Sequence, residues 1–439
     1  MKQRLIVFEL NEFNRELLMK AVSNMNLPHL KGILDLPQQM TMTDDTYESD
    51  CLEPWVQWVN VHTGKTSSEH GIRHLGDVTK LKHKQIWETL SDEGVTSGIW
   101  GVLNGNLGHA PLCRFFFPDP WTFSEEATPQ HLNHILEFPR YLATNRIRPS
   151  LPKLFLKFLN FSRVLSVPFV FTRFIRHLPR AFMMIARYPR SEFSGFCFFE
   201  YLSAMVFCHQ WKKHKPEFSI LFVNMLAHLQ HYHWKNLDIS GNKKIHYGLF
   251  FIDKIIGELR NMMGENDKIL VTNALSQKNT LEEDPWISYR PRDHERFLKD
   301  AGIDFHHVEA LMSYDANIEF TSGEARDLAE SILSEASLNG RKLFLTDRYP
   351  DAPMRLFYRF QFTDPVNPES LFKVNGRTFM FDHYFATIAE RTGKHIQTGT
   401  AYSNTFVSSK VKMNHDLFGH ILSFFRSQKD HNIKLEKTG

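Results

Sequence analysis

The chain predicts an α/β protein built on a mostly parallel sheet, with helices on both faces and a helical insertion. Three observations predict it. Over the first hundred residues, short apolar runs of strand length alternate with helical periodicities, the βαβ rhythm of a parallel sheet. That rhythm resumes at Glu217. Between the two halves lies a stretch of other composition, Arg146 to Arg190, with ten Lys or Arg and no Asp or Glu. At 439 residues the chain is long enough to bury a sizeable core in such an arrangement.

The elements follow in order. Leu5 to Leu10 reads as a buried strand, Glu16 to Ser23 as a helix, and Trp55 to His62 as the start of another. Ile86 to Glu93 is a helix closed by Gly94, and Thr96 to Val102 a strand. Glu217 to Leu226 holds a second buried strand, Tyr247 to Met262 an amphipathic helix, and Lys268 to Thr272 the next strand. Lys342 to Thr346 and Leu356 to Phe362 are expected as further strands of the same core. The division expected from this is a core in two parts, 1–145 and 216–425, a basic Phe-rich cap at 146–215, and a polar tail at 426–439.

Composition excludes several classes. A formal net charge of +3, with no basic stripe of the recognition-module kind, gives no expectation of a nucleic-acid partner. No uninterrupted apolar run reaches the roughly 18 residues of a spanning helix, and the N-terminus enters a strand directly rather than a signal peptide. Cys51, Cys113, Cys197 and Cys208 form neither a CxxC pair nor a disulfide framework, so free thiols and a cytoplasmic location are expected. Prolines at 149, 152, 168, 179 and 189 cut the basic segment into short helices. Such a segment packs its Phe face on the core, lies on an anionic membrane at the inner surface, or guides an anionic substrate.

Three further stretches carry chemistry. Cys51-Leu52-Glu53-Pro54-Trp55-Val56-Gln57-Trp58-Val59-Asn60-Val61-His62-Thr63-Gly64 is followed by Ser68-Glu69-His70-Gly71-Ile72. Asn224 to Trp234 sets His228, Gln230, His231 and His233 directly after a strand, and Thr392-Gly393-Lys394-His395-Ile396-Gln397-Thr398-Gly399 places a histidine between glycines. In this order the motifs resemble the alkaline phosphatase superfamily, in its type I phosphodiesterase and sulfatase branches. The resemblance implies an alkaline-phosphatase-like three-layer α/β/α sandwich and metal-dependent chemistry on a phospho- or sulfo-ester.

It also shows departures. Where the family keeps Thr, Ser or a modified Cys, this chain has Pro54, which has no atom able to attack phosphorus or sulfur. Cys51 is one position away from the sulfatase modification signal and lacks its Arg, so it reads as a structural thiol; His70 reads as shaping the loop. Of the two metals the resemblance implies, the one shared with the nucleophile has lost most of its ligands. Asn11 stands at the usual Asp position, with Glu9 and Glu12 flanking it out of register, and Asn273-Ala274 replaces an Asp-His pair, leaving only the carbonyl oxygen of Asn273. For the other metal, His231 and His395 match the histidines, Ala227 replaces the Asp, and His228 and Asn224 are adjacent candidates.

One divalent metal, zinc or manganese, is therefore expected instead of two. His231 and His395 would hold it, with His228 or a carboxylate such as Glu9 or Glu53 as third ligand. Water activated by that metal would replace the side-chain nucleophile, with Glu53 as its general base. Two readings stand: a divergent hydrolase or transferase acting on an anionic small molecule or a glycan- or lipid-linked ester, and a non-catalytic relative that binds an anionic ligand in the former cleft.

Overall fold

The computed structural model describes residues 3–46, 51–145, 150–189, 193–235, 239–311, 314–350, 352–406 and 411–438. Its apolar runs become β1 (Leu5–Leu10), β2 (Gln38–Met42), β3 (Ser97–Trp100), β4 (Cys113–Phe117), β5 (Phe218–Val223) and β6 (Lys268–Thr272), joined by the late strand Thr398–Ser403. They form one sheet in the order β2, Thr398–Ser403, β6, β1, β5, β3, β4. β1 pairs in parallel with β5 and β6, and β3 in parallel with β5 and β4. Only Thr398–Ser403 runs against its neighbours. A mostly parallel sheet needs both faces covered, and its central strands β1 and β5 are accordingly buried at every position, while the edge strand β2 is largely exposed.

Helices supply the cover. They are α1 (Arg15–Asn24), α2 (Pro28–Leu34), α3 (Pro54–Thr63), α4 (Ser67–His70), α5 (Ile86–Asp92), α6 (Asn133–Asn145), α7 (Leu151–Ser162), α8 (Pro168–Arg187), α9 (Phe193–His214), α10 (Met225–His233), α11 (Lys243–Met262) and the final helix Asp416–Thr438. Ile6, Phe8 and Leu10 of β1, with Leu221 and Val223 of β5, share a core with α1, α2 and α9 to α11. The alternate side chains meet the opposite layer: Phe222 packs edge-on to Trp58 of α3, and Phe218 edge-on to Phe425 of the final helix. The layers are thus helix, sheet, helix.

Contacts divide the chain into two units: Met1–Arg140 with Pro152–Asn279 and Gly393–Gly439, and Tyr141–Leu151 with Thr280–Thr392. The second unit changes one expectation. Phe344–Arg348 and Arg355–Phe360 do not extend the large sheet; they pair antiparallel with each other, inside a four-stranded sheet with Asp315–Glu319 and His307–Ala310. Their connection is too short for the crossover that parallel neighbours require. A Phe-rich cluster including Phe297, Phe344, Phe360, Phe372, Phe381 and Phe385 forms this unit's core. Of the basic segment 146–190, residues 146–149 and 190 lie outside those described, and the rest is helical apart from short connections at 150, 167 and 188–189. Residues 426–438, expected as a tail, continue the final helix.

Pro54 has a local role. It occupies the first turn of α3, where a missing N–H costs nothing and φ is already helical, and Gly64 closes the helix in the left-handed region at φ 66°. The following His70 is buried, accepts at Nδ1 from the Ile72 N–H at 3.0 Å, and pairs through Nε2 with Asn60 Oδ1 at 2.7 Å. An imidazole accepting at one nitrogen and donating at the other is neutral. Burial pushes its pKa down to about 4. Because the unfolded chain binds a proton at His70 below about 6.5 and the folded one does not, stability from this group falls as pH drops from there toward 4. The total is about 3 kcal/mol, and it levels off below 4. Proton NMR following the His70 ring in the folded protein should give that depressed midpoint, and His70→Gln should flatten the stability–pH curve in the same window.

Candidate metal centre

Three acidic or imidazole side chains converge at the carboxyl edge of the sheet. Glu12 lies in the turn that ends β1, His231 in the last turn of α10 after β5, and His395 on the strand Gly393–Ile396. The edge where parallel strands end is where open α/β sheets place their clefts. One ligand atom from each residue lies within 4.8 Å of the others, and the group is buried. His231 Nε2 and His395 Nε2 both lie 2.9 Å from Glu12 Oε2, and the two ring centroids are 5.0 Å apart.

The chain positions each of these by identifiable means. Glu12 has φ 55°, in the left-handed region that non-glycine residues seldom occupy, and this turns its carboxylate back over the strand end. Gln230 holds the turn in place: its amide donates to the Glu12 carbonyl at 2.8 Å and its oxygen accepts from the Asn14 N–H at 2.9 Å. Asn11 donates to Glu12 Oε1 at 2.8 Å, and Gln277 donates to Glu12 Oε2.

The histidines are oriented from behind. His231 Nδ1 lies 3.1 Å from the Gly393 carbonyl, and His395 Nδ1 lies 3.1 Å from the Leu52 carbonyl. A carbonyl only accepts, so each ring keeps a proton on Nδ1, and each Nε2, which donates to Glu12 here, would present a lone pair to a cation once it gave up its proton. Gly393 is required for this approach, because a Cβ there would fall 2.1 Å from Gln277 Oε1 and 2.8 Å from the Gln230 carbonyl. His395 is set on its strand by antiparallel pairing with Ser276–Asn279, opposite Gln277.

Electrostatics complete the picture. Burial alone raises the pKa of the Glu12 carboxyl, but the charges and hydrogen bonds of His395 and His231 outweigh it and hold Glu12 well below the usual carboxylate range. Two imidazole nitrogens and one carboxylate oxygen, each with its far side fixed by the chain, form a donor set suited to zinc or manganese. The residues therefore fit a single divalent cation.

The other residues singled out in the sequence are held elsewhere. Glu9 sits on β1 itself, so the two-residue alternation of the strand aims it into the layer under α3. There its Oε1 lies 2.7 Å from His62 Nε2, with both side chains buried. The Asn11 oxygen accepts from the Trp58 indole at 2.8 Å, while its amide donates to Glu12 and to Asn224 Oδ1, so it supports the carboxylate from the side. Asn273 ties backbone to backbone, donating to the Phe13 carbonyl at 2.7 Å and accepting from the Thr400 N–H at 2.9 Å. The ring of His228 lies against Phe196, centroids 4.7 Å apart, outside the three-residue group. Glu53, the residue before α3, brings Oε2 to 3.5 Å from His395 Nδ1 and borders the group without joining it.

Glu12 is the residue that motif register passes over. Its signal in the sequence is position alone, as the first carboxylate beyond the end of β1.

No family model matches the chain, and no curated protein matches it. Among solved structures it is similar to phosphonoacetate hydrolase from Sinorhizobium meliloti 1021 in complex with phosphonoformate, at 13% identity, with 96% of each chain covered and a TM-score of 0.47. It is similar as well to murine ectonucleotide pyrophosphatase/phosphodiesterase 5, at 10% identity, with 97% of this chain and 95% of that one covered and a TM-score of 0.45. The human form of that protein gives 11% identity over the same shares, with a TM-score of 0.44. At these values neither fold nor chemistry carries over from them.

Proposed function

We propose that this protein is a metal-dependent hydrolase or transferase of phospho- or sulfo-esters, a divergent relative of the alkaline phosphatase superfamily that works with one divalent cation. The observation that carries the reading is the convergence of the Nε2 atoms of His231 and His395 on Glu12 Oε2, with both Nδ1 atoms anchored to backbone carbonyls. The reaction class rests on the sequence motifs that resemble that superfamily. A bound cation would supply Lewis-acid polarisation of the ester oxygen.

The protein's own part is orientation and proton handling. Pro54 provides no nucleophile, so the attacking oxygen comes from water or an acceptor hydroxyl. Glu53, whose Oε2 lies 3.5 Å from His395 Nδ1, is the carboxylate proposed as the base that takes the attacking oxygen's proton. The anionic small molecule or glycan- or lipid-linked ester expected from the sequence remains the substrate proposed here.

A second reading has an observation of its own. Glu12 already satisfies two imidazoles, and a protein that had given up catalysis would keep such a pair to hold the strand end together. Elemental analysis of protein purified without chelator separates the two. About one equivalent of zinc or manganese is expected, together with hydrolysis of bis-p-nitrophenyl phosphate or p-nitrophenyl sulfate. His231→Ala should lower that hydrolysis by at least ~100-fold by removing a ligand. Metal at background and no turnover of either ester would leave the non-catalytic reading.

A further inference from the structure

Helix α8 carries two apolar stripes, and only one of them is used. Val170, Ala181 and Met184 are buried, and Phe174 and His177 between them pack on Phe198 and Tyr201 of α9. Displaced by one residue, Phe171, Ile175, Leu178, Phe182 and Ile185 repeat at the same helical spacing and stand 46%, 49%, 38%, 70% and 46% exposed. On α7, Phe155, Leu156, Phe158 and Leu159 are exposed as well. With Leu151 and Met183, these make eleven of the twenty-one exposed large apolar side chains among the described residues, so the exposure is concentrated, not scattered.

Charge says what covers this surface. From residue 138 to residue 191 the chain has no Asp or Glu. Lys157 and Arg173 are paired, with Glu137 and Glu258, while Lys153, Arg163, Arg176, Arg180 and Arg187 have no carboxylate partner among the described residues. A second copy docking on the same face would bring like charges together, which disfavours a self-complementary interface. No single helix among those described is long and apolar enough to cross a membrane; Leu151–Ser166 and Pro168–Arg187 reach that length and apolarity only as a pair, across a bend of 113°. Exposed Phe, Leu and Ile on bent helices rich in Lys and Arg match an element lying in the plane of an anionic lipid surface.

We propose that α7 and α8 form an in-plane anchor by which the protein binds a bilayer containing anionic lipid. The outer stripe of α8 and the exposed Phe and Leu of α7 enter the headgroup–acyl boundary, and the Lys and Arg without a carboxylate partner meet lipid phosphates. This assignment is independent of the metal centre, since none of its residues belongs to that group.

Flotation of the full chain tests it, using phosphatidylcholine vesicles with and without about one-third phosphatidylglycerol. Binding is expected to the mixed vesicles, to weaken with added salt, and to be much lower on pure phosphatidylcholine. The triple variant Phe171→Ser, Phe182→Ser, Ile185→Ser should lower the partition coefficient on the order of 100-fold. Its far-UV circular dichroism and metal content should stay unchanged, because each of those side chains is at least 46% exposed. The absence of flotation on mixed vesicles would overturn the proposal, as would flotation of the triple variant equal to the parent. A parent dimer in light scattering that the triple variant converts to monomer, without vesicle binding, would reassign the face to self-association.

Discussion

Glu12→Gln is expected to weaken zinc or manganese binding by at least ~100-fold, read by competition with a chromogenic chelator on the full chain. The substitution preserves volume and leaves His231 and His395 in place, so any loss reports the charge and the second oxygen of the carboxylate. The amide would also turn an N–H toward atoms that now donate to Glu12 from Asn11 and Gln277. It removes the only carboxylate in the three-residue group. Glu9→Gln is the internal control: Glu9 faces His62 in the layer beneath α3, so its variant should bind metal as the parent does. Parent-like affinity in Glu12→Gln, or a loss in Glu9→Gln, would move the metal away from the assigned residues.

His62→Ala is expected to destabilise the protein by about 3–5 kcal/mol in urea unfolding, with metal affinity per folded molecule retained. The ring lies between two indoles, stacked on Trp58 at 5.9 Å and edge-on to Trp87 at 5.3 Å. It meets the carboxylate of Glu9, whose side chain is 0% exposed. Truncation leaves a cavity and strands that carboxylate without its partner, the case in which breaking a buried pair costs far more than replacing both members. The double variant Glu9→Leu, His62→Phe should accordingly recover most of the loss. If His62→Ala costs less than about 1 kcal/mol, water reaches the pair and the layer is looser than its packing indicates.

The regular core was legible because its signals are local. β1 and β6 fall on the residues that their apolar runs mark, and α3 begins where Pro54 and ends where Gly64 would place it. His231 and His395 were legible by their motifs, and the structure brings their rings side by side. Glu12 was not, because its part depends on a backbone conformation at one turn that no spacing encodes. Glu9 misleads for the opposite reason. A glutamate next to a ligand position looks like a ligand until strand alternation sends it to the other face, where His62, 53 residues later, meets it. The pairing of Phe344–Arg348 with Arg355–Phe360 was similarly hidden, since an apolar run does not state which sheet it joins.

His395 reaches Glu12 across 383 positions of sequence, after the whole excursion Thr280–Thr392 has been made. During synthesis an emerging chain therefore has the first two donors in hand long before the third leaves the ribosome, and contacts so distant in sequence form late. The three-donor set is completed only when Gly393–Ile396 zips onto Ser276–Asn279, so on the proposed assignment tight cation capture would wait until that strand has been made.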